Sequence, residues 1–215
     1  PARLHISSRS GHRGSIADIA AHWTHDNAEL IGRSDAVILS VRPEQFRAIH
    51  LDLAGKLVLS VMAGVRSAEI AERTGAQRIV RALPNAAAAI RQSFSPWFAG
   101  ASVSERDRCL VHEILAASGE AVETPDEFHI DCCGALSGSG AAYPALLAEA
   151  LTAAAVSQGL SRAFAERAAK SLLCNATQLG LQVADERRHL SQRLGVLASQ
   201  HVHNACSAEG GHGSP

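Results

Sequence analysis

With 215 residues, 47% of them hydrophobic, the chain can bury a substantial core and has the length of one or two domains; two are expected here. Its 20 Lys and Arg balance 21 Asp and Glu for a formal net charge of −1, and no basic block runs along it, which argues against nucleic acid or an anionic membrane and toward a small-molecule partner. Five cysteines, odd in number and without a CxxC pair, fit free thiols in a reduced cytoplasmic protein better than a disulfide framework.

No apolar run reads as long enough to span a bilayer, and "PARLHISSRS" lacks both the apolar stretch of a signal peptide and an initiator Met, so the chain is expected to be incomplete. From there short apolar runs alternate with polar, helix-like segments: "RLHIS", "GSIADIAAHW", "AVILSV", "PEQFRAIHLDL", "KLVLSVM", "SAEIAERTG" and "RIVRAL". Continuous apolar runs such as 36–41 and 57–62 suit strands buried on both faces, so this βαβα rhythm predicts a doubly wound parallel sheet covered by helices. "SERDRCLVHEILAASG" predicts a further helix, with Ser104 as N-cap and Gly119 just past its end, and "EAVET" the last strand. Beyond Thr124 strand patterning stops, alanine becomes dense, and Ala163, Ala168, Leu172, Leu173, Ala176 and Leu179 recur at helical spacing. The expected organisation is therefore an α/β domain over 1–124 and a helical domain over 125–215, the latter with a thin Ala-rich core that calls for a homodimer. The tail, from about residue 207, is expected to be disordered.

In an open parallel sheet ligands bind beyond the carboxyl ends of the strands. Ser7, Ser8, Arg9 and Ser10 follow the first strand, a set suited to a ribose 2′-phosphate or simply to a polar loop. Ser40, Val41, Arg42 and Pro43 follow the next, where Pro43 ends the strand and starts a helix. Met62, Ala63 and Gly64 come after "KLVLSV", either as a close approach to a flat ligand or as a tight turn. Asn85 follows "RIVRALP" and can both donate and accept hydrogen bonds. The stretch "GALSGSGAAYP", residues 134–144, then sets glycines and serines ahead of an apolar run with the composition of a long buried helix. Ser137, Ser139 and Gly140 would there build an anion site from hydroxyls and helix N–H groups, or the glycines serve only close packing.

"VRALPNA" and "GALSGSGAAYP", with "SDAVILSVRPEQ" and "LVLSVMAGV" upstream in matching order, resemble the pyrroline-5-carboxylate reductase family over about residues 3–183. The resemblance implies a Rossmann domain that binds NADPH, with NADH used by some members. A helical domain that interlocks two subunits and builds the substrate pocket follows it. The implied reaction, by an oxidoreductase acting on a C=N bond, is hydride transfer to the imine carbon of 1-pyrroline-5-carboxylate, a cyclic imino acid, giving L-proline.

By position the resemblance assigns Ser8, Arg9 and Ser10 to the 2′-phosphate and Asn27 to the adenosine. It assigns Ser40, Val41, Arg42, Pro43, Met62, Ala63, Gly64 and Glu127 to the cofactor. Asn85, Ser137, Ser139 and Gly140 fall to the nicotinamide and substrate, with no residue singled out as catalytic. Three departures stand beside it. Ala141 takes the place of the proline usual after "SGSG". The family's first strand and glycine-rich phosphate loop have no counterpart, so the pyrophosphate cradle is not expected within these residues. The family's "SPGGTT"-type segment is also missing, its place taken by "ERRHLSQRLGVLASQHVHNACSAEGGHGSP". In that tail His201, His203, Cys206 and His212 lack regular metal-site spacing, and no metal is expected. Cys132 and Cys133 read as small buried hydrophobes, and Tyr143 as a packing residue with its hydroxyl bonded. The alternative to a reductase is a non-catalytic family relative serving as a dimeric scaffold or cofactor-binding protein.

Overall fold

A computed structural model describes residues 4–8, 19–140 and 142–183. The chain divides into two compact units, Pro1–Tyr143 and Pro144–Pro215.

In the first unit the strands β3 (Ala36–Leu39), β4 (Leu57–Ser60), β5 (Arg78–Ala82), β6 (Ser93–Ala99) and β7 (Gly119–Glu123) form one sheet in that order. All neighbours are parallel except β5 and β6. Because side chains alternate across a strand, Val58 and Ile79 face one core with Val37, Leu39, Phe46, Leu53 and Ile70. Leu57, Leu59, Val80 and Ala82 face the other, with Trp97, Val111 and Leu115. Two buried faces explain why these strands read as unbroken apolar runs. The helices α1 (Asn27–Gly32), α2 (Pro43–Ala48), α3 (Ser67–Thr74) and α4 (Glu105–Ala116) alternate with the strands. The expected α4 cap is present: the Ser104 hydroxyl accepts from Asp107 N–H at 3.2 Å, and Arg78 Nη1 holds both Asp107 oxygens at 2.8 and 2.9 Å.

Two strands escaped the sequence reading. At the end of "GSIADIAAHW", taken as helical, and one residue beyond it, His22–Thr24 is β2, paired in parallel with β1 (His5–Ser7). Three residues are too short to display a period. The strand β6 was hidden by Pro96 and by the hydroxyls of Ser93 and Ser95, which are buried and bonded to each other at 2.9 Å. Gly119 opens β7 rather than ending α4: at φ 147° a Cβ there would stand 2.2 Å from the Ser93 carbonyl oxygen.

The pair β1–β2 is a sheet of its own. In the structure β1 and β3 belong to different sheets. On β3, Ile38 is 49% exposed.

The second unit holds most of α6 (Ala142–Ser157) and all of α7 (Arg162–Val183), joined through Gly159 at φ 93°. Expected to be a buried helix, α6 has only Thr152 buried among its described residues, and α7 only Ala165 and Ala169. The expected tail disorder and the histidines set aside as metal ligands lie outside the described residues; among those described, no cluster of His, Cys, Asp and Glu could hold a metal.

Candidate functional site

The parallel register of β3, β4 and β5 brings three of the predicted strand ends to one edge of the sheet. Ser40 and Val41 are exposed there, and Arg42 precedes α2, whose first residue is Pro43. Arg42 N–H donates to Gln45 Oε1 at 3.3 Å. Beyond β4, Met62 is buried and donates its N–H to Ser60 Oγ at 3.3 Å, while Ala63 and Gly64 are exposed. Gly64 sits at φ 70° with open space where a Cβ would stand, so glycine both permits the turn and leaves its backbone approachable.

Beyond β5, Asn85 is held at two points. Its N–H donates to Ser93 Oγ at 3.0 Å, and its Oδ1 accepts from Ala87 N–H at 3.1 Å to cap the 3-10 turn Ala86–Ile90. At the other sheet, Ser7 Oγ donates to Asn27 Oδ1 at 2.7 Å, Ser8 N–H to Thr24 O at 3.3 Å, and His25 Nδ1 to Ser8 O at 2.8 Å. Ser8 and Asn27 are thus gathered at the end of β1, whereas Arg9 and Ser10 lie outside the described residues.

Glu127 stands just before α5 (Phe128–Cys133). Its Oε1 accepts from Ser67 N–H at 2.7 Å, Ser67 Oγ at 2.9 Å and Arg81 Nη1 at 2.9 Å. Burial pushes this carboxyl up, but the Ser67 N–H, the Arg81 guanidinium and the Ser67 hydroxyl together outweigh burial and hold it below the ordinary carboxylate value. Arg81 Nη2 reaches Asp131 Oδ1 at 2.9 Å. The Arg81 side chain is 1% exposed, and its Nε has no partner.

Behind α5 the chain enters a π-turn, Gly134–Gly138. Built Cβ atoms at Gly134 and Gly138 would meet Leu83 Cδ2 at 3.4 and 3.6 Å, ordinary contact distances. The demanding glycine is Gly140, where a Cβ would stand 2.8 Å from Leu136 O and 3.2 Å from Ser137 O. Ser139 N–H donates to Gly134 O at 3.2 Å and Gly140 N–H to Ser137 O at 3.3 Å, so these two N–H groups serve the turn itself, and α6 starts only at Ala142. Ser137 Oγ donates to Cys133 O at 3.1 Å. Tyr143 is 58% exposed with its hydroxyl donating to Ala135 O at 3.0 Å. Cys132 is exposed rather than buried, and Cys133 is half-buried.

The sequence reading missed Arg81 and Ser67. A signal was there to find: a charged residue inside the apolar run "RIVRAL" must have partners once buried, and Glu127 and Asp131, spaced by four on a helix, present two carboxylates on one face.

A mostly parallel sheet with ligand-type chemistry at its carboxyl edge, followed by a helical unit, defines a Rossmann-like dinucleotide-binding protein with a helical dimerisation region. The family described as pyrroline-5-carboxylate reductase dimerisation matches residues 127–210. Pyrroline-5-carboxylate reductase of Pseudomonas aeruginosa is 35% identical over 189 residues, covering 85% of this chain and 69% of the relative. The pea enzyme is 30% identical, covering 80% and 64%. Among solved structures, a pyrroline-5-carboxylate reductase from Coxiella burnetii superposes with a TM-score of 0.73 at 28% identity, covering 94% of this chain and 82% of that one. The chain belongs to the pyrroline-5-carboxylate reductase family, and it spans about two thirds of the length of those two sequence relatives.

Proposed function

We propose that this protein is an NADPH-dependent pyrroline-5-carboxylate reductase that works as a homodimer and yields L-proline. The observation that supports the reading is that the Met62–Gly64 loop, Asn85 and the turn bearing Ser137 and Ser139 belong to one compact unit, with Gly134 and Gly138 of that turn seated against Leu83, two residues before Asn85. The cofactor fits what is present: Gly64 leaves open space beside its backbone, and the exposed residues Ser40–Arg42 lie on the same edge. Ser40, Val41, Arg42, Pro43, Met62, Ala63 and Gly64 would line the dinucleotide, and Ser8 and Asn27, with Arg9 and Ser10, its adenosine end. When bound, NADPH supplies the hydride.

The chain's own groups orient and hold. The NH2 of Asn85 donates to the ring or carboxylate of the substrate, and Ser139 adds a hydroxyl. Ser137 Oγ, already donating to Cys133 O, acts as an acceptor. The Tyr143 hydroxyl is committed to Ala135 O.

The homodimer accounts for apolar side chains left on the helices, among them Leu146 at 68% and Phe164 at 59% exposure. Contrary to the sequence expectation, the run Phe128–Ser157 is long and apolar enough by length and composition to cross a membrane. Its match to a dimerisation region favours a second subunit as its cover. The test is NADPH oxidation by the full-length protein with 1-pyrroline-5-carboxylate, beside NADPH titration and sedimentation. Turnover by a dimer is expected, and a protein that binds NADPH as a monomer and reduces nothing overturns the reading.

A further inference from the structure

We propose that Arg81 is a positioning residue for the reaction: from inside the sheet it fixes Glu127 and Asp131, and through them the turn that carries Ser137 and Ser139. The inference rests on the assignment of the reductase site to that turn. Arg81 lies on β5 with its side chain 1% exposed, and its two terminal nitrogens each hold a carboxylate at 2.9 Å. A guanidinium buried to that extent is tolerated only when its partners stay in place, and its planar fork fixes both their direction and their separation. The partners are four residues apart, at the start of α5 and one turn along it, so the fork sets the axial position and the rotation of that helix.

The same Glu127 oxygen also accepts from the N–H and hydroxyl of Ser67, the first residue of α3. That residue closes the loop carrying Met62, Ala63 and Gly64. One carboxylate oxygen therefore ties three segments together: the loop assigned to the cofactor, the strand that leads to Asn85, and the helix that leads to the serine turn. The cation and two carboxylates leave one net negative charge, which the Ser67 donors at the positive end of α3 partly compensate. Leu83, two residues along from Arg81, supplies the apolar half of the seat beneath Gly134 and Gly138.

Arg81→Lys keeps the charge and loses the fork, Asp131→Asn keeps the shape and loses one ion pair, and Arg81→Met loses both. Amide hydrogen exchange of the full-length protein is to be followed over 128–140, with α4 as an internal reference, alongside kcat, KM for the imine and the Kd for NADPH. The expected result for Arg81→Lys and Asp131→Asn is at least tenfold faster exchange over 128–140 with α4 unchanged. A fall in kcat of tenfold or more should accompany it, with NADPH affinity within threefold of wild type for Asp131→Asn, which leaves the Glu127–Ser67 tie intact, and with Arg81→Lys retaining more activity than Arg81→Met. Should Arg81→Met fail to fold, the two milder variants carry the comparison. Unchanged exchange over 128–140, or uniformly faster exchange with kcat preserved, overturns the proposal. If the wild-type protein neither binds NADPH nor turns over, the functional assignment fails, and the exchange data still decide whether Arg81 holds the turn.

Discussion

The two units solve the burial problem in opposite ways. In the first, a sheet covered on both faces leaves Leu53, Val58, Val65, Ile70, Val80 and Val111 with no measurable exposure. In the second, two helices of 16 and 22 residues bury Thr152, Ala165 and Ala169 among their described side chains and leave Leu146, Leu147, Phe164 and Leu172 at least half exposed. A set of alanines removes little apolar area per residue, so such helices gain stability by covering one another across subunits. The difference teaches that stability of the first unit is a property of one chain, whereas that of the second is a property of concentration.

That contrast breaks if the two units respond alike to mutation. Leu53→Ala, at a side chain with 0% exposure, should destabilise the sheet unit by about 2–5 kcal/mol whatever the protein concentration. Leu146→Glu, on the exposed face of α6, should leave the sheet's unfolding free energy within about 0.5 kcal/mol of wild type while shifting the sedimentation profile from dimer to monomer. Chemical denaturation at two concentrations checks both. A concentration-dependent effect of Leu53→Ala would merge the two units into one.

A second test asks whether the sheet unit is sufficient for its ligand. Among the described residues β1–β2 and β3–β7 form separate sheets, with no strand bridging β1 and β3. Appending a parallel strand and glycine-rich loop from a family relative should tighten NADPH binding by about 100-fold, roughly 2.7 kcal/mol, through the backbone N–H groups the loop contributes. Fluorescence titration of both polypeptides decides it, and equally tight binding by residues 1–215 would show that the existing strand ends suffice.

The pH response sharpens the contrast further, because the shifted carboxylates among the described residues all lie in the first unit. Burial raises Asp107, but the Ser104 hydroxyl, the Arg78 guanidinium and the Ser104 N–H bring it below its ordinary value; Glu127 is lowered by the analogous balance at Ser67 and Arg81. Glu69 is lowered by its hydrogen bond to Arg47, and Glu29 by its bonds to Thr24 and His22. Glu69 and Glu29 are half-buried surface groups and more screened than Asp107, whose side chain is 10% exposed, so Asp107 dominates. Since the folded values lie below the unfolded ones, the stability these groups contribute is fully present above about pH 5 and is lost as pH falls through the folded values. Denaturation of wild type and Glu127→Gln from pH 7 to pH 3 should therefore converge at the acid end. Parallel curves would mean that Glu127 is not lowered in the folded protein.

The same division governs what could be read from sequence. Strands buried on both faces announced themselves as apolar runs at 36–41 and 57–62, and Ser104 announced the start of α4. Those signals are local. The strand β6 did not, because Ser93 and Ser95 are polar residues made acceptable inside by bonding to each other, with Ser93 also bonded to Asn85 eight residues away. The Glu127 junction was legible as an acidic residue ahead of the motif but not as a tie, since its partners Ser67 and Arg81 lie 60 and 46 residues away. Gly140 was legible as a glycine, yet the atom that requires it, Leu136 O, is defined only once the π-turn forms.

The smallest predicted effect tests the first unit's independence at a single backbone dihedral. Arg91, at φ 57° and ψ 34°, is the one non-glycine residue with positive φ among those described. It ends the 3-10 turn after Asn85, where its N–H donates to Ala88 O at 3.0 Å and Gln92 N–H to Ala87 O at 3.0 Å. Both bonds come from backbone, so Arg91→Gly keeps them while removing the Cβ that makes this conformation cost about 1–2 kcal/mol. Glycine also gives the unfolded chain more freedom, at a cost of about 0.4–1 kcal/mol. The net expectation is stabilisation by about 0.5 kcal/mol, a rise in Tm of about 1–2 °C at this chain length, independent of protein concentration because the site belongs to the self-buried unit. Arg91→Ala removes the same charge but keeps the Cβ, so it should not stabilise. An equal rise in Tm for both variants would assign the effect to charge and remove the argument from backbone strain.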